Sequence, residues 1–210
     1  MVQWTTPGKS DPVRILNLPE VPDHIVSKIR LLSNTLAHDD ERKYGRLWMN
    51  EFHGNSRSVR HEFSPIGDID PALRLELLSF LSPYFQEEIY ALMYVMRNVT
   101  NQPAWLHPHC DIGRKTAINY YIDLGGDHVE TVFYDHFRIT EPNLPENQRD
   151  EELVRTASFQ HRARTWYCYN SQQCHSATNI ETTRILLCIC PINNPTIEEF
   201  LEKYQHLIVK

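Results

Sequence analysis

The hydrophobic positions change period part-way along the chain. In "VPDHIVSKIRLLSNTLAH", Ile25, Ile29, Leu32 and Leu36 recur three and four apart, which predicts an amphipathic helix. Asp70 then stands before Pro71, with Leu73, Leu77 and Leu81 at four-residue steps and Pro83 just beyond. This spacing predicts a second helix capped by Asp70. From Glu88 onward the texture is different. "EIYALMYVMRNV", "TAINYYIDLG", "ETVFYDHFRI", "ELVRTASFQ", "TWYCYN" and "RILLCICPI" are short runs rich in β-branched and aromatic residues. Turn-forming clusters separate them at Asn101-Gln102-Pro103, Gly125-Gly126-Asp127, Pro142 to Pro145 and Asn170-Ser171. Closely spaced strands with no helix between them indicate an antiparallel sandwich or barrel. A last helix is expected, with Thr196 and Glu199 as a capping box and Ile197, Leu201, Tyr204 and Ile208 as its apolar stripe.

The expected fold class is therefore mainly β with flanking helices, an α+β arrangement in a single domain over residues 1–210. A mixed helical part takes residues 1–87, a β core 88–194 and a helix 195–210. Within "AINYYI", Ala117, Asn119 and Tyr121 share one strand face, and Ile118, Tyr120 and Ile122 share the other. A buried asparagine needs a hydrogen-bonding partner, so the first face is read as the barrel interior.

Composition narrows the partners. The chain has 210 residues, 41% of them hydrophobic and 23% charged, enough for one sizeable core. It has no apolar run of the roughly 18 to 20 residues that span a bilayer, and its start lacks the apolar stretch of a signal peptide. A cytoplasmic protein is expected. The net charge of −6 gives no overall attraction to nucleic acid or anionic membrane, and neither is expected as a partner. "ERKYGRLW" and the nearby "RSVRHEF" are the one basic and aromatic concentration. An odd cysteine count of five argues for reduced thiols, with Cys188 and Cys190 as small hydrophobes on one strand face.

Candidate chemistry concentrates in "LHPHCDIG", residues 106 to 113. Residues two apart share a strand face, so His107 with His109 competes with His109 and Asp111 as a ligand pair. Pro108 cannot donate to a sheet ladder, which favours His109 and Asp111. A third ligand must come from elsewhere, and His175 follows the strand "TWYCYN". Two imidazoles and one carboxylate leave three coordination positions open, which suits non-haem Fe(II) better than structural zinc. Nine residues after His175, Arg184 opens the apolar strand "ILLCIC" and offers a bidentate receptor for a carboxylate. Cys110 and Cys174, next to the ligands, are turned away from the metal by strand alternation and are read as inert. His107 is read as a neighbour of the site, Arg114 as a solvated turn residue or else a contact for a carboxylate, His136 and Asp135 as either exposed or pointing into the pocket toward substrate, and Trp166 and Tyr167 as core.

Taken together, His109-x-Asp111, His175 and Arg184 resemble the Fe(II)/2-oxoglutarate-dependent dioxygenases. "RKTAINYYIDLGGDHVETVFY" is similar to the prolyl-hydroxylase branch of that family, as is the strand "TWYCYN", and the likeness covers roughly residues 105 to 192. It implies a double-stranded β-helix, or jelly roll. It also implies oxidative decarboxylation of 2-oxoglutarate to succinate and CO2, coupled by O2 to hydroxylation of a substrate. His109, Asp111 and His175 would hold iron. Arg184 would take the distal carboxylate of 2-oxoglutarate, helped by the Tyr121 hydroxyl and Asn119. The family threonine falls at Ala117, one place from Thr116. A compact acidic chain points to a small molecule, an amino acid or a peptide segment as substrate. Three rivals stand beside this reading: a cupin-like metal enzyme that does not use 2-oxoglutarate, a non-catalytic jelly-roll binding module, and a structural zinc site.

Overall fold

The computed structural model describes residues 12–36, 59–98, 102–106, 108–111, 113–135 and 154–209. The strand-like runs become β3 (Ile89–Asn98), β4 (Thr116–Leu124), β5 (Glu130–Asp135), β6 (Val154–Gln160), β7 (Trp166–Asn170) and β9 (Thr183–Pro191). Three further strands appear: β1 (Val13–Leu16), β2 (Val59–Pro65) and β8 (His175–Thr178). β1 and β8 have four residues each, too short for a readable period. β2 forms by pairing along its whole length with β3. The described residues of the first part thus carry two strands beside the helices.

The strands make two antiparallel sheets. One has six strands in the order β1-β7-β4-β9-β3-β2, and the other three in the order β6-β5-β8. An isolated bridge between His109 and His175 adds the segment around His109 beside β8. The pairings nest: β3 with β9, the His109 segment with β8, β4 with β7, and β5 with β6. Each pair lies inside the previous one along the chain, so one long hairpin is rolled up and its arms alternate between the sheets. This is a double-stranded β-helix.

Two hydrophobic clusters follow from the period of two. Ile118, Tyr120 and Ile122 of β4 point outward, with Met93 and Val95 of β3 and Ile185, Leu187 and Ile189 of β9. Against them pack α1 (Asp23–Leu36), α2 (Ile66–Ile69) and α3 (Pro71–Leu81). Asp70 caps α3 as anticipated, its side chain accepting from the Leu73 N–H at 2.9 Å, and Leu73, Leu77 and Leu81 are fully buried. α1 contributes Ile25, Val26 and Ile29, while the Leu36 side chain lies outside the described residues. The inward cluster between the sheets holds Ala117 and Tyr121 of β4, Phe133, Phe159, Tyr167, Tyr169 and Leu186. Trp166 joins the outer cluster and Tyr167 the inner one, so both are core.

The C-terminal helix needs correction. The capping box of Thr196 and Glu199 is present, but α4 covers only Ile197–Lys203 and a single tight turn follows at Gln205–Leu207. Buried positions are Phe200, Tyr204 and Leu207, whereas Ile197, Leu201 and Ile208 are partly buried at the margin. The helical stripe fails because the chain leaves the helix to bridge the sheet edge, with Ile208 opposite Leu16 and the Val209 N–H donating to Ile15 O. No described helix is long and apolar enough to cross a membrane.

Candidate metal centre

The nested pairing brings the ends of the "LHPHCDIG" cluster and of β8 together. His109 and His175 exchange both main-chain hydrogen bonds, at 2.9 Å each, which fixes their rings side by side with centroids 4.6 Å apart. Asp111 lies two residues on, outside any regular strand, and its N–H donates to Ser171 O. Strand geometry therefore aligns the two histidines, and a turn brings in the carboxylate. One ligand atom from each of His109, Asp111 and His175 lies within 4.8 Å of the other two. These three side chains can hold a metal ion.

Neighbouring groups orient each ligand. The Nδ1 of His175 sits 2.8 Å from the carbonyl oxygen of Gln173, which only accepts, so Nδ1 carries the proton and Nε2 keeps its lone pair. Burial and then the charge of His109 hold the His175 pKa down to about 4, leaving it neutral and ready to ligate near pH 7. Asp111 is drawn in two directions. Burial pushes its pKa up, but Arg114 and the two imidazoles outweigh burial and leave it below the usual value. Arg114 donates from both Nε, at 3.0 Å, and Nη2 to one oxygen, Oδ2. The other oxygen, Oδ1, is the one turned toward His109 Nε2, 3.7 Å away. Asp111 thus offers the shared point a single oxygen.

Arg114 is accordingly not a solvated turn residue. Gly113, at φ +85°, bends the chain after Asp111 so that the guanidinium returns to the carboxylate. Its Nη1 also contacts Cys188 Sγ and the Asn119 side-chain oxygen.

Arg184 lies at the other end of the same pocket, which is lined also by Tyr94, Asn119, Tyr121, Thr131 and Tyr169. It is 1% exposed, and its Nε and Nη1 have no hydrogen-bond partner among the described residues. Nη2 is 3.3 Å from the ring nitrogens of His161, and the guanidinium carbon stands 4.8 Å from the centre of the Tyr121 ring. Burial, then the Arg184 charge, drive the His161 pKa well below its ordinary value, so a neutral ring faces the guanidinium. The Thr131 hydroxyl meets His161 Nε2 at 3.0 Å. Gly125, also at φ +85°, is required here: a Cβ would come within 2.8 Å of Arg184 Cβ. Cationic donors that are buried without acceptors cost free energy unless a ligand supplies them. A carboxylate fits both the charge and the unmet donors.

The sequence-derived residues His109, Asp111, His175, Arg184, Asn119 and Tyr121 all line this pocket. Asn119 donates from Nδ2 to the Tyr169 hydroxyl at 3.1 Å. Thr116 does not enter, because its hydroxyl donates to Pro195 O at 2.9 Å and Ala117 takes the inward position. Thr131 supplies a hydroxyl near Arg184 instead. Asp135 ends β5 and is not among the pocket residues. His107, His136 and the segment 41–48 lie outside the described residues.

No protein-family model matches the chain, and no curated protein matches its sequence. Solved structures of similar shape include AviO1 from Streptomyces viridochromogenes, 12% identical over 87% of this chain and 92% of that one, TM-score 0.48. The non-haem α-ketoglutarate-dependent epimerase SnoN of nogalamycin biosynthesis is 14% identical over 86% and 78%, TM-score 0.49. A Pseudomonas putida prolyl-4-hydroxylase is 12% identical over 86% and 92%, TM-score 0.40. The fold itself is assigned by the nested strand order.

Proposed function

We propose that the protein is an Fe(II)- and 2-oxoglutarate-dependent dioxygenase that hydroxylates a small molecule, an amino acid or a peptide segment in the cytoplasm. One observation carries the reading. A two-histidine, one-carboxylate cluster shares its pocket with a buried arginine that has two unmet donors. When bound, iron and 2-oxoglutarate supply the reaction with O2 that yields succinate, CO2 and the oxidising power for the substrate.

The chain's own residues bind and orient. His109 Nε2, His175 Nε2 and Asp111 Oδ1 would hold the metal. Arg114 keeps the second Asp111 oxygen occupied, so the carboxylate would offer a metal only Oδ1. Arg184 pairs with the distal carboxylate of 2-oxoglutarate, while His161 and Tyr121 hold the guanidinium in place. The apolar and aromatic walls, among them Met96, Leu106 and Leu186, exclude water around the pair of charges. The test is succinate formation by the purified full chain supplied with Fe(II), 2-oxoglutarate and O2 across candidate amino acids and peptides. The reading predicts 2-oxoglutarate-derived succinate that disappears on chelation. A protein that binds Fe(II) yet yields no succinate under any of these conditions overturns it.

A further inference from the structure

The main-chain bonds that align His109 with His175 also dictate what stands next to them. Because those two residues exchange both N–H···O bonds, the following pair, Cys110 and Cys174, faces across the strands without main-chain bonds between them. Antiparallel Cα atoms at such a position are about 4.5 Å apart, inside the range of roughly 4.4 to 6.8 Å that a disulfide spans. The two thiols lie on the face opposite the imidazoles, and neither lines the pocket. Access is uneven. Cys110 alone of the five cysteines is not buried, and Cys174 behind it is 4% exposed. Cys188 and Cys190, 3.7 Å apart sulfur to sulfur, sit on a single strand and are both sealed in the core.

We propose that Cys110 and Cys174 are a redox-active dithiol that closes to a cross-strand disulfide when a hydroperoxide reaches Cys110, pinning together the segments that carry His109 and His175. The Cys110 thiolate attacks one peroxide oxygen, the O–O bond breaks, and the hydroxide released takes up the thiol proton to leave as water. The Cys174 sulfur then attacks the Cys110 sulfenic acid, forming the S–S bond and breaking the S–O bond, and the second water leaves with the Cys174 proton. Two thiols and one hydrogen peroxide give one disulfide and two waters; sulfur loses two electrons and the peroxide gains them. Formation of this bond is independent of the dioxygenase reading. Its effect on the metal rests on His109 and His175 being ligands.

The test treats the full chain with Mn(II), a redox-silent stand-in for iron, and hydrogen peroxide, then alkylates it under denaturing conditions and maps the peptides. The expected result is the loss of two of the five alkylatable thiols and a peptide linking Cys110 to Cys174 that a thiol reductant reverses. In Cys174→Ser the first step proceeds, and a sulfenic-acid-specific dione probe labels Cys110. No cross-linked peptide, or Cys110 joined elsewhere, overturns the proposal. Release of Mn(II) to a chelator, followed by electron paramagnetic resonance, is expected to slow about 10-fold on oxidation of the wild type and not at all in Cys110→Ser. Equal rates in oxidised and reduced wild type overturn the clamp. If no Mn(II) binds, the clamp and the metal reading fail together, and the peptide map still decides the disulfide.

Discussion

The two faces of β4 answer to different demands. Ile118, Tyr120 and Ile122 meet the helices, where the surroundings are apolar and a side chain is chosen for the space it fills. Ala117, Asn119 and Tyr121 face inward, and Asn119 and Tyr121 line the pocket, where polar groups from distant elements stand among apolar walls. Both faces are equally buried. Burial therefore does not separate structure from chemistry in this fold, and neither does a single unmet polar atom, since the Tyr120 hydroxyl on the outer face also lacks a partner among the described residues; the separation comes from buried charge without its counterpart. Arg184 is the sharpest case, since it is as buried as any core residue yet has donors without acceptors.

The widest gap between the faces should appear in His109→Ala. Its side chain is 35% exposed, so stability should change by less than about 1 kcal/mol, while Mn(II) affinity falls by about 1,000-fold with the loss of one of three ligands. Equilibrium dialysis beside chemical denaturation checks both. Ile118→Ala is the mirror experiment. It should cost about 3 kcal/mol of stability through lost burial and a cavity, yet leave 2-oxoglutarate binding by the folded fraction unchanged. A matched fall in 2-oxoglutarate affinity would erase the distinction between the faces.

Acid should act on the pocket face at similar size. His175 is neutral when folded, with a pKa of about 4, against roughly 6.5 in the unfolded chain. The unfolded state therefore binds more protons between those values. Its contribution of about 3 kcal/mol is fully present above pH 6.5 and is lost as pH falls toward 4. His161, also buried and neutral, adds in the same direction. Denaturant midpoints of the metal-free protein from pH 7.5 down to 4 should decline; a flat profile contradicts the buried, neutral state of these rings. A smaller effect is expected for Arg114→Gln. Freeing the second Asp111 oxygen should weaken Mn(II) binding by about 10-fold with the three ligands intact. Unchanged affinity would reduce Arg114 to a packing role.

Much of this was readable from the chain. The step of four in Leu73, Leu77 and Leu81, the Asp70 cap and the alternation in "AINYYI" are local patterns, and each corresponds to a local structure. That His109, Asp111, His175 and Arg184 would meet in one pocket was legible because their types and order are chemically restrictive. Arg114 was legible only as one of two alternatives, because its contact with a carboxylate depends on the bend at Gly113 that returns it to Asp111, and spacing alone does not distinguish that from an exposed turn. His161 left no signal, since it lies beyond the end of β6 and acquires its meaning only from Arg184, a partner brought by the fold. Thr131 could have been found, as it shares a strand face with Phe133 and so points inward. The C-terminal stripe misled because a short helix ends where the chain begins to bridge β1.

The claim that the metal cluster and Arg184 serve one ligand is tested most directly by titrating 2-oxoglutarate calorimetrically into the full chain with and without Mn(II). Binding at one site that requires Mn(II), and that weakens about 100-fold in Arg184→Leu, is the predicted result. Equal binding without the metal, or none when Mn(II) is bound, contradicts it.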